Sequence, residues 1–268
     1  MFKDITIGQY FPVDSPVHRL DPRFKIIIMF LFIVSLFFIV DYSPYLLVVA
    51  FLLFTIWASK VPLAMILRGL KPLRLILLVT FLMNLFFIPG EELFRFGFLS
   101  ISRQGLNQAV FMAIRLVLLV AGTSILTLTT SPIQLTEGIE KLMTPLAKLG
   151  FPAHAIAMMM TIALRFIPTL IDEADKIMKA QMARGADFES GNIVSRAKNL
   201  IPLLVPLFIN ALRRADELAN AMESRCYRGE GKRTKMNPLV TTSFDWTVFL
   251  ISTAFFVGVA ALRLLPLP

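Results

Sequence analysis

The residues with the clearest chemical potential are Asp172 and Asp175, within the run Asp-Glu-Ala-Asp in the second half of the chain. Two carboxylates at a D-x-x-D spacing can hold a diphosphate group through Mg²⁺. Enzymes with such a site use a second aspartate-rich segment, and the only weak candidate for one is Asp216-Glu217. The other interpretation is a solvated helix face on which Asp172 and Lys176, four residues apart, form a surface pair.

Other residues with reactive side chains are few. The chain has one cysteine, Cys226, and two histidines, so it cannot form an internal disulfide and cannot build a zinc site from these residues alone. His154 is expected to be a core or interface histidine, and Met158, Met159 and Met160 point to different faces of a helix, which favours packing over copper binding. No G-x-x-x-x-G-K-[ST] loop is present, so any ATP must be hydrolysed by a partner chain. We predict no metal and no cofactor.

Two arginines recur in a matched setting. Ala183-Arg184-Gly185 and Ser224-Arg225-Cys226 end two segments that align at an offset of 41 residues. The shared frame is A-D-x-[IL]-x-x-A-x-x-[AS]-R, with small residues falling roughly on one helix face, where they allow close helix approach. These are Ala174 and Ala180 in the first copy and Ala215 and Ala221 in the second. Each arginine could simply stabilise its helix by about 0.3–1 kcal/mol, because a cation near a helix C-terminus interacts favourably with the helix dipole. Alternatively, the two arginines could contact a partner that has two equivalent sites.

The elements that position these arginines belong to a membrane protein. Of the 268 residues, 56% are hydrophobic and only 17% are charged, and the apolar residues occur in blocks. We predict five membrane-spanning helices: Phe24–Val40, Pro44–Ala58, Leu75–Ile88, Leu106–Leu128 and Trp246–Leu265. A short hairpin is expected within residues 89–104. Asp21 with Pro22, and Ser131 with Gln134, are predicted to cap helices. Arg115 lies inside a span and either has a function or pairs with a carbonyl.

The distribution of basic residues fixes the predicted orientation. A net charge of +9 on such a chain indicates cytoplasmic loops and not nucleic-acid binding. If the N-terminus is on the cytoplasmic side and the C-terminus on the outer side, the only Lys or Arg residues on the outer side are Arg95, Arg103 and Arg263. The segments 152–171 and 200–212 could also span, but that would place a basic stretch on the outer side. We therefore predict a four-span region (1–128), a helical module on the cytoplasmic side (129–243) and a last span (244–268).

The chain resembles the transmembrane T component (EcfT) of energy-coupling factor transporters. The likeness rests on Ser15-Pro-Val-His-Arg-Leu-Asp-Pro-Arg-Phe-Lys25, on the order of spans and helices, and on the two arginine triplets. It implies an all-α integral membrane protein with long amphipathic coupling helices between spans four and five, in the bacterial cytoplasmic membrane. It also implies a non-catalytic subunit of a vitamin or micronutrient importer.

The resemblance further implies partners and roles for the repeated residues. Two ABC-type ATPase subunits would receive the triplets 183–185 and 224–226, with Arg184 and Arg225 as docking arginines. A separate substrate-binding S component would couple to the helices through Ala174, Ala180, Ala215 and Ala221. Cys226 departs from the glycine of the family pattern, which predicts that the two ends are not gripped identically. The alternative is a Mg²⁺-dependent, membrane prenyltransferase-like enzyme that uses Asp172 and Asp175.

Overall fold

The computed structural model describes residues 10–96, 99–147, 149–188, 198–227 and 239–262, together with residues 192, 194 and 229. These residues divide into two compact units. The first contains the described residues of 8–138 and 239–268, and the second contains those of 139–238. We call them the core unit and the helix-pair unit. The predicted boundaries at residues 128 and 243 stay proposals, since the division by contacts falls at 138 and 238.

The core unit begins with a short helix, α1 (Pro16–Arg19), followed by α2 (Pro22–Phe38) and α3 (Tyr42–Ser59). The predicted cap of α2 is present, because the Asp21 carboxylate accepts a hydrogen bond from the Arg23 amide at 2.9 Å and Pro22 lies in the first turn. Helix α3 ends where Lys60 adopts a left-handed conformation with φ of 56°.

A broken helix and a hairpin follow. Helix α4 (Leu63–Leu70) continues through a 3₁₀ turn (Lys71–Leu73) into α5 (Arg74–Phe87). Strands β1 (Glu92–Phe96) and β2 (Leu99–Ser102) pair antiparallel, which confirms the predicted hairpin. Gly97 and Phe98, also part of that prediction, lie outside the described residues. Apart from this hairpin, the described elements are helical, so the predicted membrane fold of α-helices is confirmed.

Helices α6 (Arg103–Thr129) and α10 (Ser243–Ala261) complete the core unit. Helix α10 starts with a capping box, in which Thr242 and Asp245 exchange hydrogen bonds between side chain and backbone. Large apolar side chains of α2, α3, α6 and α10 form one cluster with almost no exposed surface. Its most buried members are Leu36, Val48, Leu128 and Phe256.

The helix-pair unit is built on long helices. Helix α7 (Pro132–Ala147) starts within the core unit and opens with the predicted capping box, since Ser131 and Gln134 exchange hydrogen bonds of 3.3 and 3.2 Å. Helices α8 (Ala153–Ala183) and α9 (Ile201–Ser224) follow. At a rise of 1.5 Å per residue they are about 46 and 36 Å long.

Five helices of the described chain are long and apolar enough to cross a membrane, and four of them overlap predicted spans. The five are Tyr42–Ser59, Leu63–Phe87, Arg103–Thr129, Ala153–Ala183 and Ser243–Ala261. The predicted first span, α2, has 17 residues, one fewer than the shortest helix of this set, and it still falls within the length range of about 17–25 residues for a membrane-spanning helix. Helix α8 enters because its first half is almost wholly apolar. The chain is a multi-pass membrane protein under either set.

Candidate functional site

Helices α8 and α9 form an antiparallel pair. Contacts join the end of α8 to the start of α9 and the start of α8 to the end of α9. Gln181, near the end of α8, donates to the Pro202 carbonyl at the start of α9 at 3.4 Å. Glu173 contacts Asn210 and Arg214 in the middle of α9. The Tyr227 hydroxyl, just beyond α9, lies 2.9 Å from the sulfur of Met158 near the start of α8. The two helix C-termini therefore point to opposite ends of the pair.

The first C-terminus is closed by a Schellman motif. Gly185 has φ of 87°, and its amide donates to the Met182 carbonyl at 3.0 Å. The next amide, that of Ala186, donates to the Gln181 carbonyl at 3.0 Å. These two bonds satisfy carbonyls that a helix end otherwise leaves without partners, and the left-handed position explains the glycine.

The second C-terminus repeats this geometry one-to-one at the offset of 41 residues. The Cys226 amide donates to the Glu223 carbonyl at 2.8 Å, and the Tyr227 amide donates to the Met222 carbonyl at 2.9 Å. Cys226 takes the left-handed conformation of its glycine counterpart, with φ of 58°. The cysteine therefore keeps the left-handed conformation and the two closing hydrogen bonds of the motif, and it adds an exposed side chain at this position.

Arg184 and Arg225 occupy the same position in the two motifs, immediately before the left-handed residue. Both are exposed, and within the described part of the chain neither guanidinium makes an ion pair or a hydrogen bond. Because the helices are antiparallel, the two arginines lie at opposite ends of the pair, roughly 35 Å apart along the length of α9. The fold thus presents two unengaged, equivalent cations on matching backbone frames.

The contact in the middle of the pair is polar, and the sequence analysis missed it. One Glu173 carboxylate oxygen accepts a hydrogen bond from the Asn210 side chain at 2.6 Å, and the other lies 3.2 Å from the Arg214 guanidinium. The Glu173 side chain is 18% exposed and that of Arg214 39%. The signal in the sequence is that 173 and 214 are equivalent repeat positions with opposite charges.

The small residues of the repeat play a smaller part in packing than we expected. Ala174 is buried, at 8% exposure. Ala180, Ala215 and Ala221 are exposed, so they do not form the contact between α8 and α9. The reason is that these three positions lie on faces of α8 and α9 that are turned away from the contact between the helices. These three alanines remain proposed contacts to a partner.

The acidic residues do not assemble into a magnesium site. Asp175 lies 3.6 Å from Lys179 one turn later, and Asp172 is exposed. The surface pair on this helix is therefore Asp175–Lys179 and not the expected Asp172–Lys176. Among the residues that the structure describes, no group of three or more His, Cys, Asp or Glu side chains could hold a metal ion.

The remaining candidates have structural partners. His154 lies 3.0 Å from a Glu140 carboxylate oxygen, so it is an interface histidine between α7 and α8. Arg115, inside α6, donates to the Ile39 carbonyl at 2.9 Å and to the Tyr45 hydroxyl at 3.1 Å. Its guanidinium also lies 4.9 Å from the centre of the Phe111 ring. Of the two alternatives for Arg115, the structure favours pairing with a carbonyl at the end of α2.

The N-terminal motif around His18 is a compact polar anchor. His18 lies 2.7 Å from the Ser15 hydroxyl and 2.9 Å from the Phe11 carbonyl, and burial lowers the pKa of its imidazole. Arg19 pairs with Asp14 through two hydrogen bonds, and this pairing lowers the pKa of the exposed Asp14 carboxyl. The motif thus forms a defined turn before the first long helix.

Residues 21–25 then tie this turn to two other helices. The Lys25 ammonium is 6% exposed and donates to the Thr129 carbonyl at 3.0 Å, at the C-terminus of α6, where a cation is favourable. The Asp21 amide donates to the Asp245 carboxylate at 2.9 Å, at the start of α10. The motif therefore holds together one end of α2, α6 and α10 within the core unit.

Large apolar side chains of α9 are left exposed by the pairing. They recur every three or four residues, and each is 50–64% exposed: Ile201, Leu204, Val205, Phe208, Ile209 and Leu212. A face of this kind needs a lipid or protein cover. The helix-pair unit therefore combines an uncovered apolar face with two charged ends.

Comparison with known proteins finds relatives that match nearly the whole chain. The family model described as cobalt transport protein (CbiQ) matches residues 14–236. A protein of Clostridium kluyveri named energy-coupling factor transporter transmembrane protein EcfT is 57% identical over 252 residues, which cover 93% of each chain. Proteins of the same name from Thermosediminibacter oceani and Bacillus subtilis are 56% and 47% identical. They cover 96% and 93% of this chain and 97% and 95% of their own lengths.

Proposed function

The chain belongs to the EcfT family of energy-coupling factor transporter transmembrane proteins, and from this premise we propose that its helix pair links two partner ATPases to a substrate-binding S component. As a member of this family it is the transmembrane component of a transporter, and the prenyltransferase-like alternative has no support. The proposal concerns how this component is connected to the rest of its complex.

One observation carries the proposal: two helix ends with the same closing hydrogen bonds present Arg184 and Arg225 at opposite ends of an antiparallel pair. A guanidinium can make two parallel hydrogen bonds to one carboxylate, which gives a docking contact both strength and direction. Two equivalent ends suit a partner with two equivalent grooves, such as a pair of ABC-type ATPase subunits. The triplets 183–185 and 224–226 would be the inserted tips.

In the proposed mechanism, movement passes from the ATPases through the helix pair to the S component. ATP binding and hydrolysis in the ATPases would move the helix ends, because the chain itself lacks a phosphate-binding loop of the Walker A type. The apolar face of α9, together with the exposed alanines Ala180, Ala215 and Ala221, would transmit that movement to the S component. The S component would then release a vitamin or another micronutrient to the cytoplasm.

The proposed location is the bacterial cytoplasmic membrane, with the N-terminus inside and the C-terminus outside. The distribution of Lys and Arg supports this orientation, because the segment that carries Arg184 and Arg225 is also the most basic part of the chain. Docking of cytoplasmic ATPases requires both arginines on that side.

The test is co-purification of the ATPase pair with the double variant Arg184→Ala/Arg225→Ala, alongside uptake of the transported substrate by cells. We expect loss of both assembly and uptake, with each single variant intermediate. Arg213→Ala is the matched control, because Arg213 is exposed on α9 but away from the helix end. Normal assembly and uptake by the double variant would show that the docking role is wrong.

A further inference from the structure

The repeat and the antiparallel packing together define a two-fold relation. When two equivalent segments pack antiparallel, an approximate two-fold axis relates them, and equivalent residues face each other only where that axis passes between the helices. Contacts away from the axis join residues that are not equivalent, such as Gln181 with Pro202. Glu173 and Arg214 are equivalent repeat positions, and their side chains are in contact. The axis of the helix pair therefore passes through this contact.

The chemistry of the contact suits that special position. Identical charged residues on a two-fold axis would bring like charges together, which is unfavourable. The two copies of the repeat avoid this, because one carries a carboxylate and the other a guanidinium, joined at 3.2 Å. Asn210 adds a hydrogen bond of 2.6 Å to the same carboxylate. One Glu173 oxygen is buried and lacks a well-aligned hydrogen bond, so its charge depends on Arg214.

The surroundings of the contact leave room for movement. An open surface groove of about 520 Å³ lies beside the pair, lined also by Phe166, Arg213, Glu217 and Leu218. Close-packed helix interfaces resist rotation because side chains interlock, whereas a polar contact beside open space can keep its partners while the crossing angle changes. The contact thus holds the middle of the two helices together and leaves their crossing angle free to change.

We propose that Glu173 and Arg214 form the pivot of the coupling helices. They are positioning residues that keep the two helices joined at the two-fold axis, so that movement at one arginine end is matched at the other. This inference rests on the proposed docking of two ATPases at Arg184 and Arg225. Without the pivot, each helix end would move independently, and ATP hydrolysis would continue with less transport.

The first test measures the helix pair in the full chain without any ATPase. Spin labels at the native Cys226 and at Ala186→Cys report the separation of the two ends by pulsed electron paramagnetic resonance in lipid nanodiscs. We expect one narrow distance distribution, which becomes at least twice as wide in Glu173→Ala and in Arg214→Ala. The charge exchange Glu173→Arg/Arg214→Glu is expected to restore the narrow distribution, because the two positions are equivalent.

The matched control is Lys176→Ala, which removes one charge from an exposed position of α8 three residues from Glu173 and should leave the distribution narrow. Glu173→Gln separates the charge from the shape, since it keeps the size of the side chain and a carbonyl acceptor for Asn210. An unchanged distribution in both alanine variants would overturn the pivot, and so would a charge exchange that remains as wide as the single variants.

The second test uses the assembled transporter and counts ATP hydrolysed per substrate imported. We expect Glu173→Ala and Arg214→Ala to assemble with the ATPases yet to raise this ratio severalfold, and the charge exchange to return it toward the wild-type value. An unchanged ratio in the single variants would contradict the pivot. Failure of the docking proposal can be told apart from failure of the pivot. If docking is wrong, Arg184→Ala/Arg225→Ala assembles normally with the ATPases, and the spin-label results for the Glu173 and Arg214 variants are unaffected.

Discussion

The left-handed residue at each helix end offers a matched pair of perturbations with opposite expected signs. Gly185 and Cys226 have φ of 87° and 58° and receive the same hydrogen-bond pattern. A residue with a Cβ pays about 1–2 kcal/mol in this conformation, while glycine loses about 0.5–1 kcal/mol more backbone entropy on folding. The difference leaves about 0.5–1 kcal/mol in favour of glycine. Cys226→Gly should therefore stabilise the end of α9, and Gly185→Cys should destabilise the end of α8 by a similar amount.

The assay is hydrogen exchange of the amides that close the two motifs, those of residues 185 and 186 and of residues 226 and 227. Since helix ends open locally, a change of 0.5–1 kcal/mol alters their exchange rates about two- to fivefold. We expect slower exchange at the second end in Cys226→Gly and faster exchange at the first end in Gly185→Cys. Each variant carries its own control, because the unmutated end should not change. Faster exchange in Cys226→Gly would refute the shared backbone geometry.

Two further predictions concern the core unit. Replacing Arg115 by Ala removes the hydrogen bonds to the Ile39 carbonyl and the Tyr45 hydroxyl, and we expect a loss of about 1–3 kcal/mol, seen as a lower melting temperature in detergent, with partial recovery in Arg115→Lys. An unchanged melting temperature would show that water or lipid replaces these bonds. Gly122→Ala places a methyl group against the Phe32 ring and should cost about 1–3 kcal/mol, whereas Gly258→Ala, with open space around its Cβ, should be neutral or slightly stabilising. Equal melting temperatures for these two variants would contradict the close approach of α6 to α2.

Features that depend on neighbouring residues were predictable from the sequence. Asp21 with Pro22 and Ser131 with Gln134 form the expected caps, because capping chemistry is decided within one helical turn. The hairpin after α5 also follows from local turn and strand signals. The set of spans was less certain, because α2 and the first half of α8 are both apolar and differ mainly in length.

Features that depend on the register between helices could not be predicted. The contact of Glu173 with Arg214 requires the alignment of two helices, which the repeat alone does not fix. The same missing register led to the expectation that four alanines would line the helix crossing, although Ala180, Ala215 and Ala221 are exposed. Cys226 is an intermediate case, because its residue type differs from that of Gly185 while its backbone adopts the same left-handed conformation.

We propose Arg184 and Arg225 as two equivalent docking points for a two-subunit partner. The most direct measurement is the dissociation constant of the ATPase pair for the full chain in nanodiscs, compared among wild type, Arg184→Ala/Arg225→Ala and the control Arg213→Ala. Removing one partner of a desolvated charge pair costs about 2 kcal/mol or more, so each arginine should contribute about 30-fold and the double variant should bind about 1000-fold more weakly. We expect this loss in the double variant and unchanged binding of the control. Equal binding of the wild type and the double variant would contradict it.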